Sequence, residues 1–427
     1  MTTTTSSHNT VMLPDLAQLQ QAYAELQAKG LKLDLTRGKP SAEQLDLAEP
    51  MLALPGVGVH TDETGTDVRN YGGLDGGITI RRIFAELLDV PVEQLLAGGN
   101  ASLTTMHDVV AFAELFGFPD SPKPWAREEK VRWICPVPGY DRHFTICEAF
   151  GIEMIPVPMT ADGPDAEAVA ALVATDPTIK GMWVVPTYSN PDGAVISADV
   201  ARALVSMPAA APDFRILWDN AYAVHHLTDD EVTSPNAIAL ADEAGHPDRV
   251  LLFASTSKIT FAGAGVSFLG SSAANIAWFK KHLSVASIGP DKLNHLRHAM
   301  FFGSPDGVRD HMRKHRAILA PKFEAVVEIL TERLGGYGIA SWTEPKGGYF
   351  VSLDVAPGTA ARVVQLAKEA GIALTPAGAT HPYGKDPQDQ NVRLAPSMPP
   401  LDEVRTAMDG VATCVLLAAA EAAAAAR

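Results

Sequence analysis

Apolar residues recur at helical spacing near the start of the chain, where Leu16, Leu19, Tyr23 and Leu26 share one face between Pro14 and a closing Gly30. The polar lead before them, residues 1–10, reads as disordered. LDLTRGKPS (Leu33–Ser41) is a short extended piece broken by Gly38 and Pro40. Four glycines, Gly72, Gly73, Gly76 and Gly77, then precede a helix predicted over Thr79–Leu88. The turn Gly98-Gly99-Asn100-Ala101-Ser102 leads into another helix over Thr104–Phe116. Free N–H groups at such a helix start suit an anion such as a phosphate.

From Val131 onward, short apolar runs alternate with helical stretches. The predicted strands cover 131–138, 181–188, 215–220, 250–255 and 266–271. This alternation implies an α/β fold with a largely parallel sheet and helices on both faces. Ligands of such sheets sit beyond the carboxyl ends of the strands. Three polar clusters lie at those ends: Tyr188–Asn190, Asp219–Tyr222 and Ser255–Lys258. A long helix with many basic residues follows over Val308–Leu334. Then come GGYFVSLDV, a helix over Gly358–Ala370, IALTP and NVRLAPS, which together make a smaller α/β unit. The expected division is an N-terminal segment 1–65 joining the small domain, a large domain 66–310 and a small domain 311–427. The alanine-rich C-terminus reads as a low-complexity helix end.

Composition narrows the class. The chain has 427 residues, 47% hydrophobic and 20% charged, which is ordinary for a globular enzyme subunit. A net charge of −16 argues against a nucleic-acid surface. The three cysteines, Cys135, Cys147 and Cys414, offer neither zinc spacing nor a disulfide framework. The N-terminus lacks a basic region followed by an apolar one, and no apolar run is expected to reach bilayer-spanning length. These features lead us to expect a soluble cytoplasmic protein with no membrane partner. His225 and His226 lack a third ligand at suitable spacing, so no metal is expected. Gly98-Gly99-Asn100 is not the G-x-G-x-x-G of a nicotinamide dehydrogenase.

The chemistry centres on FASTSKITFAGAG (Phe253–Gly265), where Lys258 follows a β-branched and aromatic run among the hydroxyls of Ser255, Thr256 and Ser257. Alone, a strand-end lysine is usually a surface residue. Asn190 in Asn-Pro-x-Gly says only "turn", Asp219 suits a helix N-cap, and Tyr222 suits a core tyrosine.

In the order Asn-Pro-x-Gly, Asp-x-x-Tyr, Ser-x-Ser-Lys, however, these residues resemble the fold-type I pyridoxal-phosphate aminotransferases of the aspartate aminotransferase superfamily. The resemblance runs from about Leu33 to Met398. It is strongest with the bacterial aspartate aminotransferase branch (subgroup 1c, with a MocR-like aminotransferase domain) through TRGKPS (36–41), YGGLDG (71–76), GGNASL (98–103), CPVPGYDRHF (135–144) and STSKITFAGAG (255–265).

The resemblance implies a mostly parallel seven-stranded sheet in the large domain and pyridoxal 5'-phosphate as cofactor. Lys258 would hold the cofactor aldehyde and carry a proton at the substrate α-carbon. Asp219 would pair with the pyridine nitrogen, Tyr222 and Asn190 with the phenolate oxygen, and Tyr140 would stack on the ring. Ser255, Ser257, Ala101 and Ser102 would cradle the phosphate. Tyr71 would reach the phosphate of a neighbouring subunit, which implies a homodimer with shared sites. Arg393 would grip the substrate α-carboxylate, with Gly38 and Asn190 close to the substrate. Many relatives carry an arginine eight residues after the lysine, and here that position is Val266. Lys39, Arg37 and Arg142 are the candidates for a side-chain carboxylate.

The implied reaction moves the amino group of L-aspartate to 2-oxoglutarate, giving oxaloacetate and L-glutamate. The alternatives are an aminotransferase for alanine or aromatic amino acids, and a cofactor-sensing regulator domain. The regulator needs a DNA-binding module, and the acidic chain has no basic patch before Leu33.

Overall fold

The computed structural model describes residues 12–426. The polar lead expected to be disordered lies outside the described residues.

The strands in chain order are β1 (Leu33–Asp34), β2 (Leu95–Ala97), β3 (Arg132–Val137), β4 (Glu153–Thr160), β5 (Gly163–Pro164), β6 (Ile179–Val184) and β7 (Arg215–Asp219). They continue with β8 (Val250–Ser255), β9 (Ser267–Gly270), β10 (Ala340–Trp342), β11 (Val351–Val355), β12 (Ile372–Ala373) and β13 (Asn391–Leu394). One eight-stranded sheet has the order β2-β9-β8-β7-β6-β3-β4-β5. Its centre, β4-β3-β6-β7-β8, is parallel, while β9 runs antiparallel to both β8 and β2. β6 and β7 are buried at every position, so their apolar residues run together (Met182–Val184, Ile216–Trp218) rather than alternating, with the charges of Lys180, Arg215 and Asp219 toward the strand ends.

The resemblance implied seven strands. The eighth is the two-residue β5, which folds back on β4 through a turn at Gly163, whose φ of +118° favours glycine. The sequence reading also passed over β4, whose prolines and half-exposed register (EMIPVPMT) hide its strand character.

Helices cover the sheet. α1 is Leu16–Ala28, α2 Ala42–Asp46, α3 Ile78–Leu88, α4 Ser102–Phe116 and α5 Asp141–Ala149. α6 (Ala166–Val173), α7 (Ala198–Ser206), α8 (Ala237–Glu243) and α9 (Ala273–Ala286) connect later strands. α10 (Lys292–Phe302) leads to α11 (Pro305–Leu334), which starts before the predicted Val308. Ser304 caps it by accepting from Gly307 N, and Pro305 occupies the first turn, where its missing N–H costs nothing.

Beyond α11, β10-β11-β13 form a small antiparallel sheet, packed with α12 (Ala360–Glu369) and α13 (Leu401–Ala425). The N-terminal residues join this part. β1 pairs parallel with β12, and Leu19, Tyr23 and Leu26 of α1 share one apolar core with α11, α12 and α13. Each such side chain contributes about 1.5–3 kcal/mol of burial. The Tyr23 hydroxyl, which donates to the Leu366 carbonyl at 2.9 Å, satisfies its polar end. α13 corrects one expectation, because it is long and apolar enough to cross a membrane by length and composition. Its apolar window is 72% buried inside the fold, where it serves as a core helix against α1 and α11.

Candidate active site

Four adjacent parallel strands deliver the site. β8 ends at Ser255 and leads to Lys258, β7 ends on Asp219, β6 runs out toward Asn190, and β3 runs out toward Tyr140 ahead of α5. Parallel strands end on the same edge of a sheet, which is why residues so distant in sequence converge. The cavity at this edge, about 860 Å³, is lined by Lys258, Tyr222, Asn190, Tyr140 and Arg393 together with Gly38.

Lys258 Nζ lies 4.9 Å from the centroid of the Tyr222 ring. Burial pushes its ammonium pKa below the ordinary value, with Asp219 pulling the other way. Burial, together with Tyr140 and Asp219, holds the Tyr222 hydroxyl well above the usual range, so it remains a neutral donor. Asp219 is 3% exposed, and its Oδ2 meets His143 Nε2 at 3.0 Å. His143 is itself stacked on Trp183, ring centroids 4.4 Å apart and 7° between planes. Asp219 Oδ1 is buried with no partner among the described residues. A buried carboxylate oxygen left this way calls for a cationic or N–H partner, which a protonated pyridine nitrogen supplies.

The phosphate candidates also come together. α4 begins at Ser102 with Ala101 as N-cap and no side-chain cap, so its first N–H groups stay open to an anion. Ser255 Oγ donates to Ser257 Oγ, and Ser257 Oγ to the Asn100 carbonyl, both at 3.1 Å. A Cβ on Gly265 would lie 2.7 Å from that same carbonyl, so only glycine lets the loop after Lys258 close on Asn100. Val266 is fully buried in the core. Hydroxyls and a helix N-terminus thus fit a phosphate, and the site as a whole fits pyridoxal phosphate.

Arg393, on β13, is 6% exposed and lies over the Phe350 ring at 5.0 Å. Its Nη1 meets Asp141 Oδ1 at 2.8 Å and Asn190 Oδ1 at 3.5 Å, while its buried Nε has no partner. Gly38 presses on the same aromatic ring, where a Cβ would come 2.6 Å from Phe350 Cζ. Arg37, Lys39 and Arg142 are exposed and line the cavity, as does Lys368 from α12, which sequence reasoning passed over. Tyr71 stands outside this lining. It is 83% exposed beside a second cavity formed with residues 287–293.

His143 and Asp141 were also missed. Both sit inside the quoted CPVPGYDRHF, but a polar residue in the first turn of a helix carries no periodic signal that separates a partner from a cap. His226 Nδ1 contacts the Tyr188 hydroxyl at 2.7 Å.

A recessed strand-end lysine, a buried carboxylate on the neighbouring strand and a helix-start anion cradle define a pyridoxal-phosphate-dependent aminotransferase. Residues 7–427 match the family model described as aspartate amino-transferase, and the chain belongs to that family. It is 64% identical over 405 residues (94% of this chain, 95% of the other) to a Mycolicibacterium smegmatis protein named only provisionally as an aminotransferase. It is 60% identical over 403 residues, covering 94% of this chain and 93% of the other, to an aspartate aminotransferase of Corynebacterium glutamicum. The crystal structure of an aspartate transaminase from Corynebacterium glutamicum superposes with a TM-score of 0.94 at 59% identity, over 95% of this chain and 96% of that one.

Proposed function

We propose that the enzyme transfers the amino group of L-aspartate to 2-oxoglutarate. The observation that carries this reading is one cavity holding Lys258, the buried Arg393 and a second set of cations, Arg37, Lys39, Arg142 and Lys368. Aspartate and 2-oxoglutarate each carry a second carboxylate, which a second set of cations in the same cavity as Arg393 suits. The aspartate aminotransferase named among the relatives supports the same reading.

Pyridoxal phosphate, when bound, supplies an electron sink for charge developing at the substrate α-carbon. The chain supplies the rest. Lys258, kept toward its neutral form by burial, takes and returns the proton at that carbon. Asp219, held in place by His143, would pair with the pyridine nitrogen. Arg393 offers a planar fork to the α-carboxylate, and Asn190 and Tyr222 donate to the cofactor oxygen. Ser255, Ser257, Ala101 and Ser102 receive the phosphate.

We also assign the chain to the subgroup 1c branch on its sequence motifs, and divide it into segment 1–65, large domain 66–310 and small domain 311–427. Separate apolar cores around the eight-stranded sheet and around α11–α13 support the division, with α11 running through its boundary. The exposed Tyr71 supports a homodimer with shared sites. Three free, buried cysteines support a reducing cytoplasm. The test is kcat/KM for aspartate, alanine and phenylalanine with 2-oxoglutarate. Aspartate leads by at least about 100-fold if its side-chain carboxylate is gripped by a charged hydrogen-bonded pair; equal values for alanine contradict the reading.

A further inference from the structure

The segment that carries Gly38 also reaches behind Lys258. Gln44, on α2, is completely buried. Its Oε1 accepts from Ser41 N at 3.0 Å, and because a backbone N–H only donates, the amide orientation is fixed. Gln44 Nε2 therefore points the other way as a donor, 2.8 Å from the Tyr349 hydroxyl and 2.9 Å from His315 Nδ1. Having accepted from Gln44, Tyr349 turns its own proton to the Lys258 carbonyl at 3.3 Å. His315, accepting at Nδ1, carries its N–H at Nε2, which faces His311 Nε2 at 3.1 Å. His311 Nε2 in turn lies 2.8 Å from the Ile259 carbonyl. The Lys258 carbonyl is thus held by a tyrosine that Gln44 orients, and the next carbonyl, that of Ile259, meets His311, one residue further along the same buried chain of contacts.

The front of this arrangement touches the substrate loop. A Cβ on Gly38 would lie 3.2 Å from Tyr349 Cβ, so loop 36–39 rests on the same tyrosine that Gln44 holds. The Ser397 hydroxyl donates to the Lys39 carbonyl at 2.9 Å, tying the loop to the chain just beyond Arg393.

We propose that Gln44 is a positioning residue for Lys258: by orienting Tyr349 it holds the Lys258 carbonyl, and it couples the lysine to the substrate-facing loop 36–39. The proposal rests on Lys258 being the cofactor-binding lysine. The alternative is that Gln44 serves only the capping box it forms with Ser41, stabilising α2 and nothing else.

The test uses the cofactor-loaded enzyme and the variants Gln44→Met, Tyr349→Phe, their double, and Ser41→Ala. Three quantities are read: the pH midpoint of the visible cofactor band, kcat and KM separately, and the thermal unfolding temperature. Ser41→Ala removes the side-chain half of the cap and leaves the outward bonds of Gln44, so it lowers the unfolding temperature with the midpoint unmoved. Gln44→Met and Tyr349→Phe both shift the midpoint in the same direction and lower kcat about tenfold with KM nearly constant, because a small misplacement of a reacting group is costly. The double variant is no worse than the worse single one. A midpoint and kcat unchanged in Tyr349→Phe, or a Gln44→Met that mimics Ser41→Ala, overturns the proposal. A wild-type protein with no visible band in pyridoxal phosphate instead overturns the reading on which it rests.

Discussion

Asp141 Oδ1 lies 2.8 Å from Arg393 Nη1, so the arginine that faces the cavity is already paired with a carboxylate supplied by α5. A substrate α-carboxylate of the same charge competes for that guanidinium. Asp141→Asn therefore lowers KM for every amino donor a few-fold, equivalent to about 1 kcal/mol for one exchanged hydrogen bond. A raised KM would instead make Asp141 part of substrate recognition.

Arg393→Lys replaces a planar fork by a point charge. Steady-state kinetics should give a KM about 10–100-fold higher for amino donors and 2-oxo acids alike, with the cofactor band retained. An unchanged KM in this variant would remove Arg393 from the site.

Lys258 has an ammonium pKa held below its ordinary value by burial, Asp219 opposing. The group is a base only when neutral, so the rate should rise with pH through a midpoint below the ordinary ~10.4. Lys258→Ala should lose turnover by about 10²–10⁴-fold or more while remaining folded by circular dichroism. Turnover near wild type in that variant refutes the role.

How far the sequence carried this picture can be seen residue by residue. Lys258, Asp219 and Asn190 stood out as strand-end residues because each ends or follows an apolar run, and parallel strands of alternating α/β units end on one edge, whereas Tyr140 was singled out only through the family resemblance. Arg393 was legible only through its motif, since a lone arginine on a short strand gives no pattern of its own. What stayed hidden depends on contacts between distant segments. His143 matters because it stacks on Trp183 beneath Asp219, and Gln44 because it faces Tyr349, 305 residues away. β4 was hidden for a local reason, its two prolines. α13 was misjudged because only its alanine-rich end was read as helix, whereas the apolar run extends through a 25-residue helix, Leu401–Ala425.

Loss of stability in acid follows from buried histidines, His298 and His315 among them. His298 donates from Nδ1 to the Asn294 carbonyl, so its Nε2 accepts from Thr256 and Thr260 and has no room for a proton. Burial lowers its pKa to about 4, and burial with His311 lowers that of His315 to about 3. Between those values and the ordinary 6.5, the unfolded chain binds protons that the folded chain refuses. Their contribution is therefore fully present above about pH 6.5 and is lost as pH falls, by up to about 1.4 kcal/mol per pH unit for each group. Urea unfolding at pH 7 and pH 5 should show this loss, and His298→Gln should reduce its slope. An equal slope in the variant contradicts the assignment.

The most direct measurement is the visible absorption spectrum of the purified protein loaded with pyridoxal phosphate, taken before and after adding aspartate and then 2-oxoglutarate. The expected result is a visible band that gives way to that of the pyridoxamine form with aspartate and returns with 2-oxoglutarate. A band that ignores aspartate but responds to alanine or an aromatic donor would contradict the proposed substrate, and no band at all would contradict the site.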